Sequence, residues 1–349
     1  MSRKMTAAVL YGKEDVKIEQ VPVPRLDEGE VLIRVQVALT CGTDLKVYRR
    51  GYHARMIVPP ALFGHELAGV IEEVGPGVTK FSRGMRVVAL NSAPCQQCFF
   101  CSKHQENLCE DLLFNNGAYA EFIKVPRRIV ETNMLAIAPD VSYHEAAMTE
   151  PLACVLRGLH ETNVEIGDCV TVIGAGPIGL MFIQVAKAIG CGVIAVVKRD
   201  EQVSAAKHMG ADEVLMLSRG KSPVDAVRSL TREKRGADVV IEAVGRPEAW
   251  EWAPEMVRKG GTVNFFGGCA SGTRVHLDTN RLHYSEITLK ATFHHTPETV
   301  RRAYRLIAEK KVRPIEYITG EAPLSRLHEV LQHMIDRTGE IKTAIIPGR

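Results

Sequence analysis

The stretch VTVIGAGPIGL, residues Val170–Leu180, decides the fold class. Its apolar first half is typical of a buried strand, and the pattern that follows predicts an amphipathic helix over Pro177–Ile189. Between the two lie Gly174, Gly176 and Gly179. In this setting the first glycine would make a tight turn, the second would let the backbone approach a pyrophosphate, and the third would allow close helix packing. The stretch therefore predicts a dinucleotide-binding turn.

The residues expected to contact such a dinucleotide follow from the same turn. A helix N-terminus offers unpaired amide donors and the positive end of its dipole to a pyrophosphate. An ordinary glycine turn in a sheet protein is the alternative interpretation. The predicted contacts in the turn are Gly174, Gly176, Pro177, Ile178 and Gly179.

The alternation of strand and helix continues after this turn. Apolar GVIAVV, EVLML, ADVVIEAVG and GTVNFFGG follow in order, with helical patterns such as Glu201–Met209 between them. Strands joined by helices of this length pair in parallel through right-handed crossovers. We therefore expect an α/β fold with a doubly wound Rossmann cofactor domain over residues 155–292.

The flanking segments have a different texture. Before residue 154 the chain has short alternating runs such as Val31–Val37, interrupted by VPVPRLDEGE and EEVGPGVTKFSRG. After Thr292 come the helical pattern PETVRRAYRLIAEKK, a strand-like EYITGEAPL, another helix and a final strand KTAIIP. The chain has 349 residues, and single cores stop growing near about 250 residues. We expect residues 1–154 and 293–349 to form one β-rich domain.

The second strand of the cofactor domain ends in VIAVVKRDE. An acidic residue that binds the ribose 2′-hydroxyl is expected there, but Val197 is followed by Lys198 and Arg199. Two cations at this place favour the 2′-phosphate of NADP. NAD stays an alternative, because Asp200 or Glu201 could reach a ribose and a Lys-Arg pair is often simply solvated.

Composition excludes several classes of function. Hydrophobic residues make up 46% of the chain and charged residues 24%, as in ordinary globular proteins. The net charge of +3 is spread without a long basic run, so nucleic acid is not an expected partner. No signal-peptide pattern or bilayer-length apolar stretch occurs, which predicts a cytoplasmic protein without a membrane partner.

Nine cysteines, an odd number, argue against a disulfide framework. Four of them form a cluster in CQQCFFCSKHQENLC, at Cys95, Cys98, Cys101 and Cys109. Four thiolates this close can surround a tetrahedral structural zinc, which takes no part in chemistry. An iron–sulfur cluster is the alternative, although the spacing matches neither common ferredoxin pattern. We predict zinc, with chance clustering of free thiols as the remaining interpretation.

Three other segments carry residues that could converge on a second metal. They hold Cys41 in ALTCGTDLKVY, His65 and Glu66 in LFGHELAGVIEEVG, and Glu150 in MTEPLAC. None is convincing alone, because a lone cysteine is usually a small buried hydrophobe. Their order relative to the cysteine cluster and the glycine turn strengthens the interpretation. A zinc site with a vacant position lowers the pKa of a bound hydroxyl towards neutrality.

Six motifs occur in one order along the chain: CGTD, GHELAGVIEEVG, the cysteine cluster, GAYAEF, EPLAC and GAGPIGL. On these motifs the chain resembles the zinc-containing medium-chain dehydrogenases/reductases, in the branch of sorbitol (L-iditol) and L-threonine dehydrogenases. The resemblance covers essentially the whole chain. It implies a GroES-like catalytic domain together with the Rossmann domain, and NAD(P)-linked oxidation of a secondary alcohol, in particular a polyol, to a ketone.

The resemblance also implies roles for individual residues. The implied ligands of a catalytic zinc, binding directly or through water, are Cys41, His65, Glu66 and Glu150. Thr43 resembles the hydroxyl that takes the substrate proton and passes it on through the nicotinamide ribose. The family often has a histidine five residues after the metal-binding cysteine, whereas this chain has Lys46. The outer end of the proton route is therefore not predicted.

Several alternatives stay open. Threonine or a simple secondary alcohol fits the same motifs, because specificity lies in pocket residues outside them. A zinc-free reductase of this fold would lack Cys41 and His65, and a non-catalytic relative would bind NADP(H) without turnover. His294 and His295 either contact substrate or cap the helix that begins near Thr296. Relatives are commonly homodimers or homotetramers, which the motifs do not distinguish.

Overall fold

The computed structural model describes residues 3–53, 55–217, 222–338 and 340–348. The chain forms two compact units. The first comprises Met1–Ala153 and His295–Arg349, and the second comprises Cys154–His294. These bounds lie within two residues of the boundaries expected from the sequence.

The strands in the described residues are β1 (Lys4–Gly12), β2 (Asp15–Pro22), β3 (Val31–Leu39), β4 (Ala61–Leu62), β5 (Glu66–Val74), β6 (Arg86–Ala89), β7 (Ser92–Ala93), β8 (Leu113–Phe114), β9 (Phe122–Val125), β10 (Met134–Ala136), β11 (Cys169–Ile173), β12 (Gly192–Val197), β13 (Glu213–Met216), β14 (Ala237–Glu242), β15 (Val257–Phe265), β16 (Thr288–Ala291), β17 (Ile318–Pro323) and β18 (Lys342–Ile346). The α-helices there are α1 (Gly42–Arg50), α2 (Phe99–Ser102), α3 (Arg127–Thr132), α4 (Tyr143–Ala147), α5 (Thr149–His160), α6 (Pro177–Ile189), α7 (Asp200–His208), α8 (Val224–Leu230), α9 (Pro247–Met256), α10 (Thr279–Tyr284), α11 (Pro297–Ala308) and α12 (Leu327–Asp336).

The main sheet of the first unit is centred on β3. Its order is β10-β6-β5-β3-β18-β17, and β9 also pairs with β3. β3 runs antiparallel to β5, β9 and β18, and Arg34 is its only exposed residue. The alternation expected over Val31–Val37 is therefore weak in the structure, because a central strand is covered on both faces. Val31, Ile33 and Val35 pack in one core with Leu331 and Ile345.

The second unit confirms the predicted doubly wound fold. Its six strands pair in parallel in the order β13-β12-β11-β14-β15-β16. The chain moves outward from β11 through β12 and β13 and returns on the other side with β14. Doubly wound sheets bind ligands at the carboxyl ends of the strands where the order reverses in this way. The GAGPIGL turn follows β11 and so lies at that edge.

Helix ends in both units follow local backbone signals. α6 covers the predicted Pro177–Ile189 and ends at Gly190, which adopts a left-handed φ of +103°. The helix predicted over PETVRRAYRLIAEKK ends earlier, at Ala308, and Lys310 has a positive φ of +55°. None of the helices in the described parts of the chain has the length and apolar character needed to cross a membrane.

Candidate metal centres and dinucleotide-binding turn

The three glycines of the turn after β11 differ in their surroundings. Gly174 has a φ of +99°, and a Cβ there would lie 2.5 Å from Val244 Cγ2. A Cβ on Gly179 would lie 1.8 Å from the carbonyl oxygen of Gly174. A Cβ on Gly176 would have no neighbour within 4 Å in the described parts of the chain, and this residue is the N-cap of α6. Two glycines thus serve packing, while the middle one borders open space at a helix N-terminus.

Pro177 and Ile178 form the first turn of α6 and are partly exposed. Proline suits this position, because the first amides of a helix have no partner within it. At the end of β12, Val197 is buried and Lys198 is exposed. Arg199 Nε lies 2.9 Å from Glu201 Oε1 in the first turn of α7. The strand end therefore carries two cations, and both nearby acids belong to the helix that follows.

The cysteine cluster has the spacing of a tetrahedral metal site. Its four sulfur atoms lie within 4.8 Å of one another. Cys98 Sγ is 3.6 Å from Cys101 Sγ and 3.8 Å from Cys109 Sγ. Thiolates bound to a tetrahedral zinc at about 2.3 Å lie about 3.8 Å apart. The two distances from Cys98 Sγ therefore suit a tetrahedral zinc.

The thiols of this cluster differ in acidity. Hydrogen bonds from the backbone at Glu110 and Cys101 lower the pKa of Cys98 to about 6. Burial raises the pKa of Cys101 to about 12 and also raises that of Cys109. A thiolate at Cys98 is therefore favoured at neutral pH without metal, whereas a metal must displace protons from Cys101 and Cys109.

The second group of candidate ligands lies where β3 ends and β5 begins. Cys41 follows β3 and is the N-cap of α1, while His65 and Glu66 stand at the start of β5. Leu39 pairs with Glu66 across the two strands. One ligand atom each from Cys41, His65 and Glu66 lies within 4.8 Å of the others. A thiolate, an imidazole and a carboxylate form a donor set that suits catalytic zinc.

Asp44 organises this group. Its Oδ1 lies 2.8 Å from Nδ1 of His65, and its Oδ2 accepts the amide of Cys41 at 3.2 Å. Because a carboxylate can only accept, Nδ1 carries the proton and Nε2 is left for a metal. Burial lowers the pKa of His65, but the Asp44 carboxylate more than offsets this and raises it well above its usual range.

Glu66 has a second partner besides the candidate metal. Lys342, at the start of β18, places its Nζ 2.9 Å from Oε1 and 2.7 Å from Oε2 of Glu66. Both side chains are at most 2% exposed. Burial lowers the pKa of Lys342, while Glu66 raises it, and the net effect is upward. A metal at Cys41 and His65 would therefore share the Glu66 carboxylate with a buried ammonium group.

Glu150 is the second residue of α5 and is 7% exposed. It is not part of the trio of Cys41, His65 and Glu66. Burial raises the pKa of its carboxyl to about 7, with Glu66 acting in the same direction and His65 against it. The charges of Glu66 and His65 therefore affect the pKa of Glu150, although Glu150 is not one of the three grouped ligands.

The remaining predicted site residues are also accounted for. Thr43 is partly exposed, and its amide donates to Cys41 Sγ at 3.4 Å. Lys46 is exposed on α1. His295 is 2% exposed with Nε2 3.1 Å from Asn91 Oδ1, and burial lowers its pKa to about 3. The side chain that caps α11 belongs to Thr296, so neither histidine is the cap.

Three residues of the site were not singled out from the sequence. Asp44 and Tyr119 lie in the motifs CGTD and GAYAEF. The order of these motifs along the chain indicates the family, but it does not indicate which side chains contact each other. Tyr119 Oη donates to Asp44 Oδ2 at 2.6 Å. Lys342 had no motif signal, because its partner Glu66 is 276 positions away.

Two family models match parts of the chain. The family model "Alcohol dehydrogenase GroES-like domain" matches residues 27–133. The family model "Zinc-binding dehydrogenase" matches residues 177–309. These matches place a GroES-like domain in the first unit and the zinc-dehydrogenase cofactor region largely in the second.

Relatives that match nearly the whole chain are dehydrogenases as well. Sorbitol dehydrogenase of Bacillus subtilis is 30% identical, over 99% of this chain and 98% of its own. L-threonine 3-dehydrogenase of Bacillus licheniformis is 31% identical, over 96% of each chain. A zinc-binding dehydrogenase of Sinorhizobium meliloti, solved bound to NADP, superimposes with a TM-score of 0.88 at 26% identity, over 99% of this chain and 100% of its own. The chain belongs to the zinc-containing medium-chain dehydrogenase/reductase family, in the branch of sorbitol and threonine dehydrogenases.

Proposed function

We propose that this protein is a zinc-dependent, NAD(P)-linked dehydrogenase that oxidises a secondary alcohol, in particular a polyol, to a ketone. The observation that carries the proposal is the donor set of Cys41, His65 and Glu66, whose ligand atoms lie within 4.8 Å of one another. The glycine turn after β11 supplies the matching cofactor site. The sorbitol dehydrogenase relative supports the polyol as substrate class.

The residues of the first unit would divide the work as follows. Cys41 and His65 would hold the catalytic zinc, and Glu66 and Glu150 would complete its coordination directly or through water. Zinc in such a site supplies a Lewis acid that makes a hydroxyl more acidic. Thr43 would relay the substrate proton, accepting it on its hydroxyl oxygen while its own hydroxyl proton leaves towards the nicotinamide ribose. A bound nicotinamide would supply the hydride acceptor, and the protein would position it.

A paired variant test addresses the metal assignment. Cys41→Ser and His65→Ala should each lose one zinc per chain and essentially all activity, while NADPH binding persists. Cys191→Ser is the matched control, because Cys191 is a buried thiol of the second unit with its Sγ 3.4 Å from the Glu165 carbonyl oxygen. Turnover that survives in correctly folded C41S or H65A protein would show that the assignment is wrong.

We further propose that Cys95, Cys98, Cys101 and Cys109 hold a second, structural zinc. The sulfur distances of 3.6 and 3.8 Å support it. Elemental analysis of the purified protein should give two zinc ions per chain. Wild-type protein with only one zinc per chain, and no loss of that zinc on substitution of a cysteine in the cluster, would contradict the proposal.

NADP is the proposed preferred cofactor. Lys198 is exposed and Arg199 is partly exposed at the end of β12, where a 2′-phosphate would lie, and the Sinorhizobium relative was solved with NADP. The catalytic efficiency kcat/KM should be higher with NADP than with NAD. Arg199→Ala should lower the value for NADP about tenfold or more and leave that for NAD almost unchanged. A clear preference of the wild type for NAD would overturn the choice.

A screen of polyols, sugars, threonine and simple secondary alcohols with both cofactors would identify the substrate. Threonine is the second candidate, since the L-threonine 3-dehydrogenase relative is as similar as the sorbitol dehydrogenase.

We also propose a homodimer or homotetramer. β16 is an edge strand that pairs only with β15 among the described strands. Light scattering that gives a monomer mass at micromolar concentration would contradict this.

A further inference from the structure

We propose that Tyr119 is a positioning residue for the catalytic metal. Its hydroxyl would hold the Asp44 carboxylate in the orientation that lets His65 present Nε2 to zinc. This inference rests on the proposed function, because it assumes a metal at Cys41 and His65. Tyr119 would change the affinity for the metal only indirectly, through the side chains of Asp44 and His65.

The contacts form one continuous buried chain. Tyr119 Oη lies 2.6 Å from Asp44 Oδ2 and 3.1 Å from the carbonyl oxygen of Leu39. Asp44 Oδ1 lies 2.8 Å from His65 Nδ1. Tyr119, Asp44 and His65 are 0%, 2% and 4% exposed. Water therefore has little access to the carboxylate, and its orientation depends on protein donors.

Asp44 receives its donors on two different oxygen atoms. Oδ2 accepts the Tyr119 hydroxyl and the Cys41 amide, whereas Oδ1 accepts only the His65 ring among these groups. Two donors on Oδ2 resist rotation of the carboxylate, so Oδ1 stays directed at Nδ1. A fixed Nδ1 hydrogen bond fixes both the tautomer and the plane of the imidazole. Tyr119 thus limits the directions from which Nε2 can bind a metal.

The Tyr119 ring is held independently of its hydroxyl. It packs edge-on against Phe63 with ring centroids 5.5 Å apart. A Cβ on Gly64, the residue before His65, would lie 2.6 Å from the ring. The Tyr119 amide also donates to the Phe63 carbonyl oxygen at 2.9 Å. A phenylalanine at this position keeps these contacts, so Tyr119→Phe removes one oxygen atom without removing the packing.

Tyr317 offers a matched control in the same unit. It is 2% exposed, and its hydroxyl is buried without a hydrogen-bond partner among the described residues. Tyr317→Phe therefore deletes an equally buried phenolic oxygen that touches no group of the metal site. A general effect of losing a buried hydroxyl would appear in both variants, whereas positioning would appear only in Y119F.

The experiment measures Zn²⁺ affinity of the catalytic site by competition with a chelator, and the d–d absorption of the Co²⁺-substituted protein. Loss of an outer-shell partner typically costs 10–100-fold in metal affinity. Y119F should bind Zn²⁺ about tenfold more weakly than wild type and shift the Co²⁺ spectrum, while Y317F should match wild type. Y119F affinity within about twofold of wild type, with an unchanged Co²⁺ spectrum, overturns the inference.

Asp44→Asn tests whether Tyr119 acts through Asp44. If it does, Y119F should have little further effect on Zn²⁺ affinity in a D44N background. An equal loss in both backgrounds would overturn this route. If wild type itself takes up no metal that C41S removes, the proposed function fails. If wild type binds that metal and Y119F binds it equally well, only the inference about Tyr119 fails.

Discussion

Replacing Glu150 by glutamine tests the electrostatics around the candidate zinc ligands. Glu150 is 7% exposed, and burial raises the pKa of its carboxyl from 4.5 to about 7. At about 1.4 kcal/mol for each tenfold change in acidity, this corresponds to about 3 kcal/mol in the free energy of unfolding. In metal-free protein that contribution is fully present below pH 4.5 and is lost as the pH rises through about 7. The reason is that the unfolded carboxyl ionises at lower pH than the folded one.

The assay is urea unfolding of chelator-treated wild type and E150Q over the range from about pH 5 to about pH 8. Wild type should lose about 2.5 kcal/mol more than E150Q over this range, because part of the contribution is already lost at pH 5. Glu145→Gln is a control that should leave the pH profile over this range almost unchanged, because a carboxyl with a lowered pKa stays ionised throughout it. Partial burial acts to raise this pKa, but hydrogen bonds from Ser142 and Lys310 lower the pKa of Glu145. Parallel pH profiles for wild type and E150Q would refute the reasoning.

Four further single substitutions have distinct expected outcomes. Gly179→Ala places a Cβ 1.8 Å from a main-chain oxygen and should lower both melting temperature and NADPH affinity, whereas Gly176→Ala, with nothing within 4 Å, should weaken only NADPH binding. Fluorescence titration would measure the NADPH affinity of the two glycine variants, and thermal unfolding would measure their melting temperatures. Equal effects of both substitutions on both quantities would contradict this prediction. Cys98→Ser should lose one zinc and lower the melting temperature while the other zinc stays, as elemental analysis would show. Lys342→Met leaves Glu66 buried without its partner and should cost about 3–5 kcal/mol in urea unfolding, most of which the additional change Glu66→Gln should restore.

Local signals predicted the cofactor unit well. The helix over Pro177–Ile189 has matching bounds because it begins after Gly176 and ends at Gly190, both of which act through backbone geometry within a few residues. The cysteine cluster is similarly local, since its four sulfur atoms are close together in the chain and in space. In both cases the residues are so close in sequence that their spacing alone predicts how they are arranged in space.

The inner structure of the candidate catalytic site was not predictable in this way. Asp44 caps α1 through Cys41 and also holds His65, and only the first role has a local signature, the capping box. Lys342 meets Glu66 because β18 pairs with β3, a contact between the two ends of the chain. The neutral state of His295 depends on burial, which no sequence pattern near it reveals.

The position of β18 has a consequence for synthesis on the ribosome. β18 lies between β3 and β17, yet it follows all of Cys154–His294 in the chain. The second unit, whose residues are contiguous, can therefore fold while the first unit still lacks its inner strand. Until residues 342–346 emerge, β3 presents an unpaired edge at Ala38 and Leu39, next to the candidate zinc ligands. Nascent chains that stall before this strand would expose that edge to aggregation, and the candidate catalytic site would be among the last parts of the chain to assemble.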